Sequence, residues 1–247
     1  MELSERELDR YNRQMMIKGW GVEGQVQLKK AQVVVVGSGG LGSPILIYLT
    51  AAGVGEIVVV DKDKFELSNL NRQILGWETN VGKAKAVSAA EKLRSMNSDI
   101  SVFPRVMEIS EDNIGEIIDN ADVVVDALDN WDTRFIVNKA CVEKGIPFVH
   151  AGIYGLSGQV TTIIPGEGPC LRCIIPGKPK DAGLFPVVGA TPGLFAMIEV
   201  MEVFKLIIGF GETLAGQMLV FNGEDMSFNK FEVSRSPSCE VCGGLKP

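Results

Sequence analysis

The sequence predicts an α/β fold with a doubly wound, mostly parallel sheet, and three observations lead to this prediction. Between residues 31 and 151, short apolar runs alternate with helix-like stretches, as expected when helices connect parallel strands. The first run, Val33 to Val36, leads into glycines at positions 37, 39 and 42, in the spacing G-x-G-x-x-G. A second run ends at Asp61, about twenty residues past the last of these glycines. This combination is typical of a Rossmann-like unit that binds a nucleotide.

The elements of this first half follow from local patterns. Val33 to Val36 are four β-branched residues, which suit a strand buried on both faces. Similar runs recur along the chain, and the stretches between them have a helical pattern. Strands are expected at 32–36, 56–61, 100–105, 121–126 and 146–151, and helices at 41–53, 82–96, 110–119 and 131–144.

The glycine turn after the first strand has a chemical reason. The chain must turn tightly, let a phosphate approach its backbone and pack a helix against the strand. The N-terminus of the next helix offers unpaired N–H groups and the positive end of a dipole to an anion. Asp61 stands where an acid meets a ribose hydroxyl. A glycine-rich turn without a ligand is the alternative, and the motif alone does not name the nucleotide.

The remaining segments complete one predicted domain, residues 1–247. An N-terminal helical arm covers 1–30, the nucleotide-binding half covers 31–151, and residues 152–247 extend the sheet with antiparallel strands. That last part also contains a crossover loop and a zinc knuckle. Its predicted elements are a strand at 158–165, a loop rich in Pro and Gly at 176–186, a helix at 192–208 and strands at 217–222 and 228–233.

Charge and composition exclude some classes of protein. The 247-residue chain carries a net charge of −7, which gives no electrostatic support for nucleic-acid binding. Its N-terminus is charged and has no apolar signal core. The apolar segment 184–210 is broken by two prolines and three charged residues, which favours a buried helix over a membrane span. We therefore expect a cytoplasmic protein with no nucleic-acid or membrane partner.

Four of the five cysteines form two C-x-x-C pairs, Cys170 with Cys173 and Cys239 with Cys242. Two thiolates at this spacing chelate one metal ion from a tight turn, and two pairs complete a tetrahedral S₄ site. Soft thiolate ligands favour zinc, and a closed site of four thiolates indicates a structural role. A redox pair is the alternative, but neither pair has a thioredoxin-like context. Cys141 lies in a helical pattern and is expected to be a small buried hydrophobe.

Charged residues gather where the predicted strands end. Asp61, Asp126 and Asp129 lie at or just past such ends, where doubly wound sheets bind ligands. Several cations follow the second strand and can fold back over phosphates. Cations and an aspartate together indicate Mg²⁺-assisted attack on a nucleoside triphosphate, whereas hydride transfer needs no such set. These cations are Arg72, Lys83 and Lys85.

A solvated surface position is the alternative for each of these charges. That alternative is preferred for Lys83. Asp126 stays open, because an acid at a strand end can simply accept hydrogen bonds from the backbone. His150, the single histidine, is expected to make a structural hydrogen bond. The residues assigned to the site are Arg72, Lys85 and Asp129.

Several independent motifs, in order over nearly the whole chain, resemble those of one family. They are Arg10 to Gln14, the glycine turn from Gly37 to Ser43, Leu67 to Gln73, Val81 to Lys85, Asp129-Asn130 and both cysteine pairs. On these residues the chain resembles the ThiF/MoeB/HesA family, the prokaryotic relatives of ubiquitin-activating enzymes, and is most similar to MoeB-type sulfur-carrier adenylyltransferases. Members of this family use MgATP to adenylate the C-terminal glycine carboxylate of a small ubiquitin-like carrier, and they work as homodimers.

The resemblance implies cofactors, partners and residue roles. ATP and Mg²⁺ would serve catalysis, Zn²⁺ would be structural, and the partner would be a sulfur-carrier protein ending in Gly-Gly. Asp61 would bind the ribose, Asp129 would hold Mg²⁺, and Arg13 would reach into the site of the partner subunit. The implied catalytic residues are Arg13, Arg72, Lys85 and Asp129, and the implied nucleotide-binding residues are Gly37, Gly39, Gly40, Gly42, Asp61, Asp63, Asn69, Arg72, Lys85, Asp129 and Asn130.

The sequence departs from many relatives at one point. The crossover loop from Lys178 to Val188 contains no cysteine, so we expect adenylation without a covalent cysteine intermediate. Three alternative functions stay open: adenylation of another carboxylate on a peptide or modified tRNA, an NAD(P)-dependent oxidoreductase, and a non-catalytic scaffold. The carrier and its pathway, whether molybdopterin synthesis, thiamine synthesis or other sulfur transfer, also stay open.

Overall fold

One sheet of eight strands organises the part of the chain that the structure describes, residues 2–177, 179, 183 and 185–245. The structure is a computed structural model. Its strands are β1 Gln32–Val36, β2 Glu56–Val60, β3 Ser101–Arg105, β4 Val123–Asp126, β5 Phe148–Tyr154, β6 Ser157–Ile163, β7 Gln217–Asn222 and β8 Ser227–Glu232. They lie in the order β3-β2-β1-β4-β5-β6-β7-β8. Neighbours among the first five strands are parallel, and β5 to β8 pair antiparallel.

Helices cover both faces of the sheet. They are α1 Glu5–Arg10, α2 Asn12–Met15, α3 Gly21–Lys30, α4 Gly42–Ala52, α5 Lys85–Met96, α6 Ile114–Ile117, α7 Trp131–Lys144, α8 Leu171–Ile174 and α9 Ala190–Ile208. α3, α4, α5 and α9 contribute to the core on one face, and α6, α7 and α8 contribute to the core on the other. This is the predicted α/β fold: a doubly wound parallel sheet extended by antiparallel strands.

The central strands explain why the sequence specifies this arrangement. Along β1, Val33 and Val35 face one core while Val34 and Val36 face the other, because successive side chains of a strand point to opposite faces. All four side chains are fully buried. A run of β-branched residues with no polar position therefore fits only a strand that is covered on both sides.

The N-terminal arm, residues 1–30, is helical as expected over most of its described length, but it is not one helix. It folds as α1, α2 and α3, separated by turns. Gly19 and Gly21 have φ angles of +89° and +60°, which end the regular path before α3. The arm packs on the sheet domain through Trp20, whose ring lies 5.2 Å from that of Phe204.

Two other elements also differ from expectation. Of the helix expected at 110–119 only α6 forms, because Asn113 accepts a hydrogen bond from the Ser110 N–H and donates to the Glu108 carbonyl. β5 is longer than expected and reaches Tyr154, since it continues into an antiparallel hairpin with β6. Gly155 in the connecting turn has a φ of +60°.

The long apolar segment folds mainly as α9, as expected for a buried helix. α9 lies against α4 and α3 and across β5 and β6. Leu184, at its start, lies outside the described residues. None of the helices in the described parts of the chain has the length and apolar character needed to cross a membrane.

Candidate active site

A cavity of about 830 Å³ opens at the carboxyl ends of β1 and β4. These strands are neighbours in the sheet, but the chain leaves β1 toward β2 on one side and β4 toward β5 on the other. Crossover connections that diverge in this way leave a crevice where open α/β sheets bind ligands. The cavity is within the size range of small-molecule sites. Predicted site residues on its wall are Gly37, Gly39, Gly40, Asp61, Asp63, Arg72, Lys85, Asp129 and Asn130.

The glycine turn forms the floor between β1 and α4. Gly37 has a φ of +100°, and a Cβ there would lie 2.4 Å from the carbonyl oxygen of Ala127. A Cβ at Gly42 would lie 2.1 Å from the carbonyl oxygen of Gly37. Glycine is therefore required at both positions, first for the turn and then for packing α4 against it.

The turn presents backbone donors to the cavity. The N–H groups of Gly39, Gly40 and Leu41 donate to none of the described residues, and all three residues lie on the cavity wall. They precede α4, whose N-terminal end adds the positive end of the helix dipole. This geometry suits the phosphates of a nucleotide.

Asp61 lies on the wall and holds the glycine turn in place. Its Oδ2 atom accepts from the backbone N–H and the hydroxyl of Ser38, both at 2.8 Å. Its Oδ1 atom accepts from the Asp63 N–H at 2.8 Å. A carboxylate has about four acceptor positions, so Asp61 can still accept from a ribose hydroxyl.

Two cations face the turn from the segment after β2. Lys85 is 7% exposed, and its Nζ atom lies 3.2 Å from Oδ2 of Asp63. The stem of Arg72 lies over the glycine turn, 3.4 Å from the position of a Cβ at Gly40. Its Nη1 atom donates to the Ser68 carbonyl at 3.1 Å. The chain thus brings positive charge to the turn that offers phosphate-binding amides.

Asp129 and Asn130 lie opposite, after β4. Asp129 is an exposed carboxylate on the cavity wall. Asn130 caps α7, since its Oδ1 atom accepts from the Thr133 N–H at 2.9 Å. A hard oxygen ligand such as Asp129 fits Mg²⁺, whereas the amide oxygen of Asn130 is already used as the helix cap.

Three predicted site residues lie outside the wall. Gly42 is buried beneath the turn, where it acts through packing. Asn69 is 9% exposed, and its Oδ1 atom accepts from the Glu66 N–H at 3.1 Å. Arg13 is exposed on α2, in the N-terminal arm. Their roles toward a nucleotide stay predictions.

A buried charged cluster lies beside the cavity. Oδ2 of Asp126 is 3.0 Å from Nε of Arg134 and 2.5 Å from Nδ1 of His150. Its Oδ1 atom accepts from the Leu128 N–H at 2.9 Å. Burial raises the pKa of Asp126, but Arg134 and His150 outweigh it and bring that pKa below its usual value. Burial lowers the pKa of His150, so the ring is a neutral donor to the carboxylate.

Sequence reasoning missed several polar residues of the wall. Gln73, Trp131, Arg134 and Gln159 all line the cavity. Arg134 lies one helical turn after Asn130, and this spacing was a usable signal for the same side of α7. Gln73 is the last residue of the motif Leu67 to Gln73, but it has no charge that would single it out as a site residue. No local pattern marked Gln159.

The four paired cysteines form a second site at the edge of the fold. Their Sγ atoms all lie within 4.8 Å of one another. Sγ of Cys170 lies 3.7 Å from that of Cys239, and Cys173 and Cys242 are 3.3 Å apart. An S₄ tetrahedron around zinc has edges of about 3.8 Å, whereas a disulfide needs about 2 Å. The four residues therefore fit a zinc ion, and Cys141 lies elsewhere, fully buried.

Comparison with known proteins, by sequence and by fold, finds relatives over nearly the whole chain. A model of the ThiF family matches residues 11–241. The SAMP-activating enzyme E1 of Haloferax volcanii is 43% identical, and the match covers 98% of this chain and 92% of that protein. The sulfur carrier protein adenylyltransferase of Thermus thermophilus is also 43% identical, with 98% and 93% covered. The crystal structure of E. coli MccB with ATP has a TM-score of 0.86 at 27% identity, over 98% of this chain and 77% of that chain.

The fold, the cavity and these relatives define the class of protein as an adenylyltransferase. The chain belongs to the ThiF family, because the family model and relatives above 40% identity each match most of its length. An adenylyltransferase replaces the oxidoreductase that the glycine motif left open.

Proposed function

We propose that the protein uses ATP to adenylate the C-terminal glycine carboxylate of a small ubiquitin-like sulfur-carrier protein and releases pyrophosphate. One observation carries the proposal: the unbonded N–H groups of the glycine turn share a cavity with Arg72, Lys85 and Asp129. The names of the relatives support it, since they include a sulfur carrier protein adenylyltransferase and a SAMP-activating enzyme.

The nucleotide would follow the wall from Asp61 to the glycine turn. Asp61 has an acceptor position left for the ribose, and the amides of Gly39 and Gly40 would receive the phosphates. Asp63 would orient Lys85, to which it is already paired at 3.2 Å. Asn130 would support Asp129 by capping the helix that follows.

The chemistry requires positive charge more than it requires a protein nucleophile. A carboxylate that attacks the α-phosphate meets strong repulsion, and cations that face the developing charge lower that barrier. Arg72 and Lys85 would supply them from this chain. Asp129 would hold Mg²⁺, which neutralises charge on phosphoryl oxygens when bound. Since the nucleophile comes from the substrate, no general base is needed.

The thiols of the chain support a reaction without a covalent cysteine step. Cys141 is fully buried in the core, and burial raises the pKa of its thiol. The other four form the cysteine cluster, where we propose a structural zinc ion. The crossover loop 178–188 has no cysteine in its sequence, although Lys178, Lys180 to Ala182 and Leu184 lie outside the described residues.

Pyrophosphate exchange into ATP tests the proposal. A panel of small ubiquitin-like proteins ending in Gly-Gly is assayed with the enzyme and radiolabelled pyrophosphate. We expect exchange with at least one member and a fall of about 10²–10³-fold in Lys85→Met, because a preorganised cation is lost. Lys83→Met is the matched control, since Lys83 belongs to the same motif but is exposed and outside the cavity wall.

Two results would contradict the proposal. The first is a wild-type enzyme that returns no label with any panel member. The second is equal exchange in Lys85→Met and Lys83→Met. Exchange that appears only with short peptides would instead favour another carboxylate substrate, an option raised by the structural likeness to MccB, which has been solved with MccA.

A further inference from the structure

In one part of the cavity, the side chains of Gln159 and Arg134 present nitrogen donors beside Gly152, which has no side chain. Gly152 of β5 pairs with Gln159 of β6 in this part. A Cβ added at Gly152 would lie 3.8 Å from Nε2 of Gln159 and 3.9 Å from Nη1 of Arg134. All three residues line the cavity. The missing side chain therefore leaves a space that two donors border.

The guanidinium of Arg134 is fixed on one side and open on the other. Its Nη2 atom donates to the carbonyl oxygens of Leu128 at 2.5 Å and Ala151 at 3.1 Å. Its Nε atom pairs with Asp126, which also accepts from His150. Nη1 donates no hydrogen bond to any of the described residues. A guanidinium held this rigidly loses little freedom when it receives an anion.

The charge at this point suits a singly charged group better than a polyphosphate. Asp126 already balances Arg134, and Gln159 is neutral, so the pair of donors adds no net positive charge. Arg72, beside the glycine turn, is the cavity-wall cation that makes no ion pair with the described residues.

The surroundings of this part of the cavity suit a peptide. Val220 of β7 pairs with Gln159, and the ring of Phe185 stacks on that of Tyr154 with a centroid separation of 6.3 Å. These three side chains line the cavity together with Ile153. A wall of apolar and aromatic groups with a few convergent donors is typical of a ligand pocket, and its apolar part can contact an uncharged peptide tail.

We propose that Nη1 of Arg134 and the side-chain amide of Gln159 bind the terminal carboxylate of the substrate tail, and that Gly152 leaves the room for it. This inference rests on the proposed function and deepens it, since it names the residues that select a free carboxylate. Asp126 and His150 are positioning residues, because they contact Arg134 and not the tail.

Gly152→Ala is the first test, because its methyl group meets nothing closer than 3.8 Å and the fold should stay intact. With the panel member that supports exchange, we expect the KM for carrier to rise roughly tenfold or more and the KM for ATP to stay within about twofold. Gly115→Ala is the matched control, since its methyl group would lie 3.6 Å from Cε of Lys144 and outside the cavity wall. An unchanged KM for carrier, or equal changes for both substrates, would overturn the proposal.

The second test measures binding and does not depend on turnover. The same carrier is prepared with a C-terminal carboxylate and with a carboxamide, and its Kd is measured by calorimetry. We expect the wild-type enzyme to prefer the carboxylate by roughly tenfold and Gln159→Leu to lose most of that preference. Gln27→Leu, at an exposed position of α3, is the control.

The two proposals fail separately. If the wild-type enzyme gives no exchange with any carrier, the proposed function is wrong. If exchange is intact but Gln159→Leu discriminates between carboxylate and carboxamide as the wild-type enzyme does, only this inference is wrong. Should Gln159→Leu fail to fold, Gly152→Ala decides the question alone.

Discussion

At the scale of single residues, burial of the Glu199 carboxyl group on α9 is energetically unfavourable. Both of its carboxyl oxygens are buried without a hydrogen-bond partner among the described residues. Burial raises the pKa of Glu199 well above its usual value, and the charge of Asp126 adds to this while Arg134 opposes it. An ionised carboxylate in such a place is strongly unfavourable, so the side chain stays protonated in the folded protein.

This raised pKa makes the stability depend on pH. Below the pKa of the unfolded chain, both states hold the proton and Glu199 carries no penalty. Above it, the unfolded state loses the proton first, so its free energy falls relative to the folded state. The contribution of Glu199 to stability is therefore full at low pH and is lost as the pH rises toward the folded pKa.

Glu199→Gln should remove that loss, because the amide keeps the volume of the acid and never ionises. We expect Tm to exceed that of the wild-type protein by a few degrees at pH 8 and the difference to shrink toward pH 4.5, since about 1 kcal/mol shifts Tm by ~2–4 °C in a chain of this size. Thermal melts followed by circular dichroism across this range measure it. A difference independent of pH would show that ionisation is not the cause.

At the scale of elements, the β1–α4 turn has glycines with two different tasks. Gly42 is needed for packing, because an added Cβ would lie 2.1 Å from the Gly37 carbonyl oxygen. We expect Gly39 to serve access, because an added Cβ would meet nothing closer than Gln73 at 3.6 Å and the residue lies on the cavity wall. Substitution should separate stability from nucleotide binding.

Gly42→Ala should lower the free energy of unfolding by about 1–3 kcal/mol, since the turn has to move to admit the methyl group. Gly39→Ala should leave Tm unchanged and weaken binding of a non-hydrolysable ATP analogue by roughly tenfold or more. Denaturant melts and calorimetric titration give the two quantities. If both variants lost stability equally, the division of tasks would be wrong.

The observed bounds of the helices and strands show how well local sequence patterns predict secondary structure. β1 and β7 have the predicted bounds, and so has α7, because each combines a clear pattern with a sharp stop. The helix expected at 110–119 shortened to one turn, since a side chain of Asn113 competed with the helical hydrogen bonds. The extension of β5 to Tyr154 depended on its partner β6, which no pattern within β5 reveals.

At the scale of the whole molecule, several apolar side chains of α4, α9 and the N-terminal arm are exposed. Tyr48 on α4 is 53% exposed and Met201 on α9 is 62% exposed, and these two helices pack together. Met16 and Ile17 of the N-terminal segment are exposed as well. The family resemblance implies a homodimer, and exposed apolar groups are available for such a contact. Arg13, exposed and outside the cavity wall, lies in the same N-terminal arm.

Mixing two inactive variants tests whether Arg13 acts across such a contact. Arg13→Ala and Lys85→Met should each lose pyrophosphate exchange. Co-expressed, they should recover about a quarter of the wild-type activity, because half the dimers are mixed and one of the two sites in each is intact. Co-expression of Lys83→Met with Lys85→Met is the reference, because only the Lys85→Met subunits of those mixed dimers carry a defective site. No recovery in the first mixture would show that Arg13 does not act in the partner's site.

The sequence by itself determined the parts of this protein that depend on local order. Valine runs and the glycine spacing predicted the central strands and the turn after β1, because each is built from residues close together along the chain. The paired cysteines predicted the cluster of four thiols that could hold a metal ion. The motifs also indicated the family. The same patterns placed Asp61 and Asp129 at strand ends and Arg72 and Lys85 after the second strand, and the fold brings all four to one cavity.

Only the tertiary structure decided which neutral or buried side chains join the charged residues in the cavity. Arg134 comes to the cavity because α7 packs across β4 and β5, and Gln159 comes because an antiparallel strand pairs with β5. Strand order and register are set by the burial of whole faces, and that burial sums over residues far apart in sequence. A chain read in order therefore shows the charged groups that line the cavity, but not the space beside Gly152 where we propose that a tail ends.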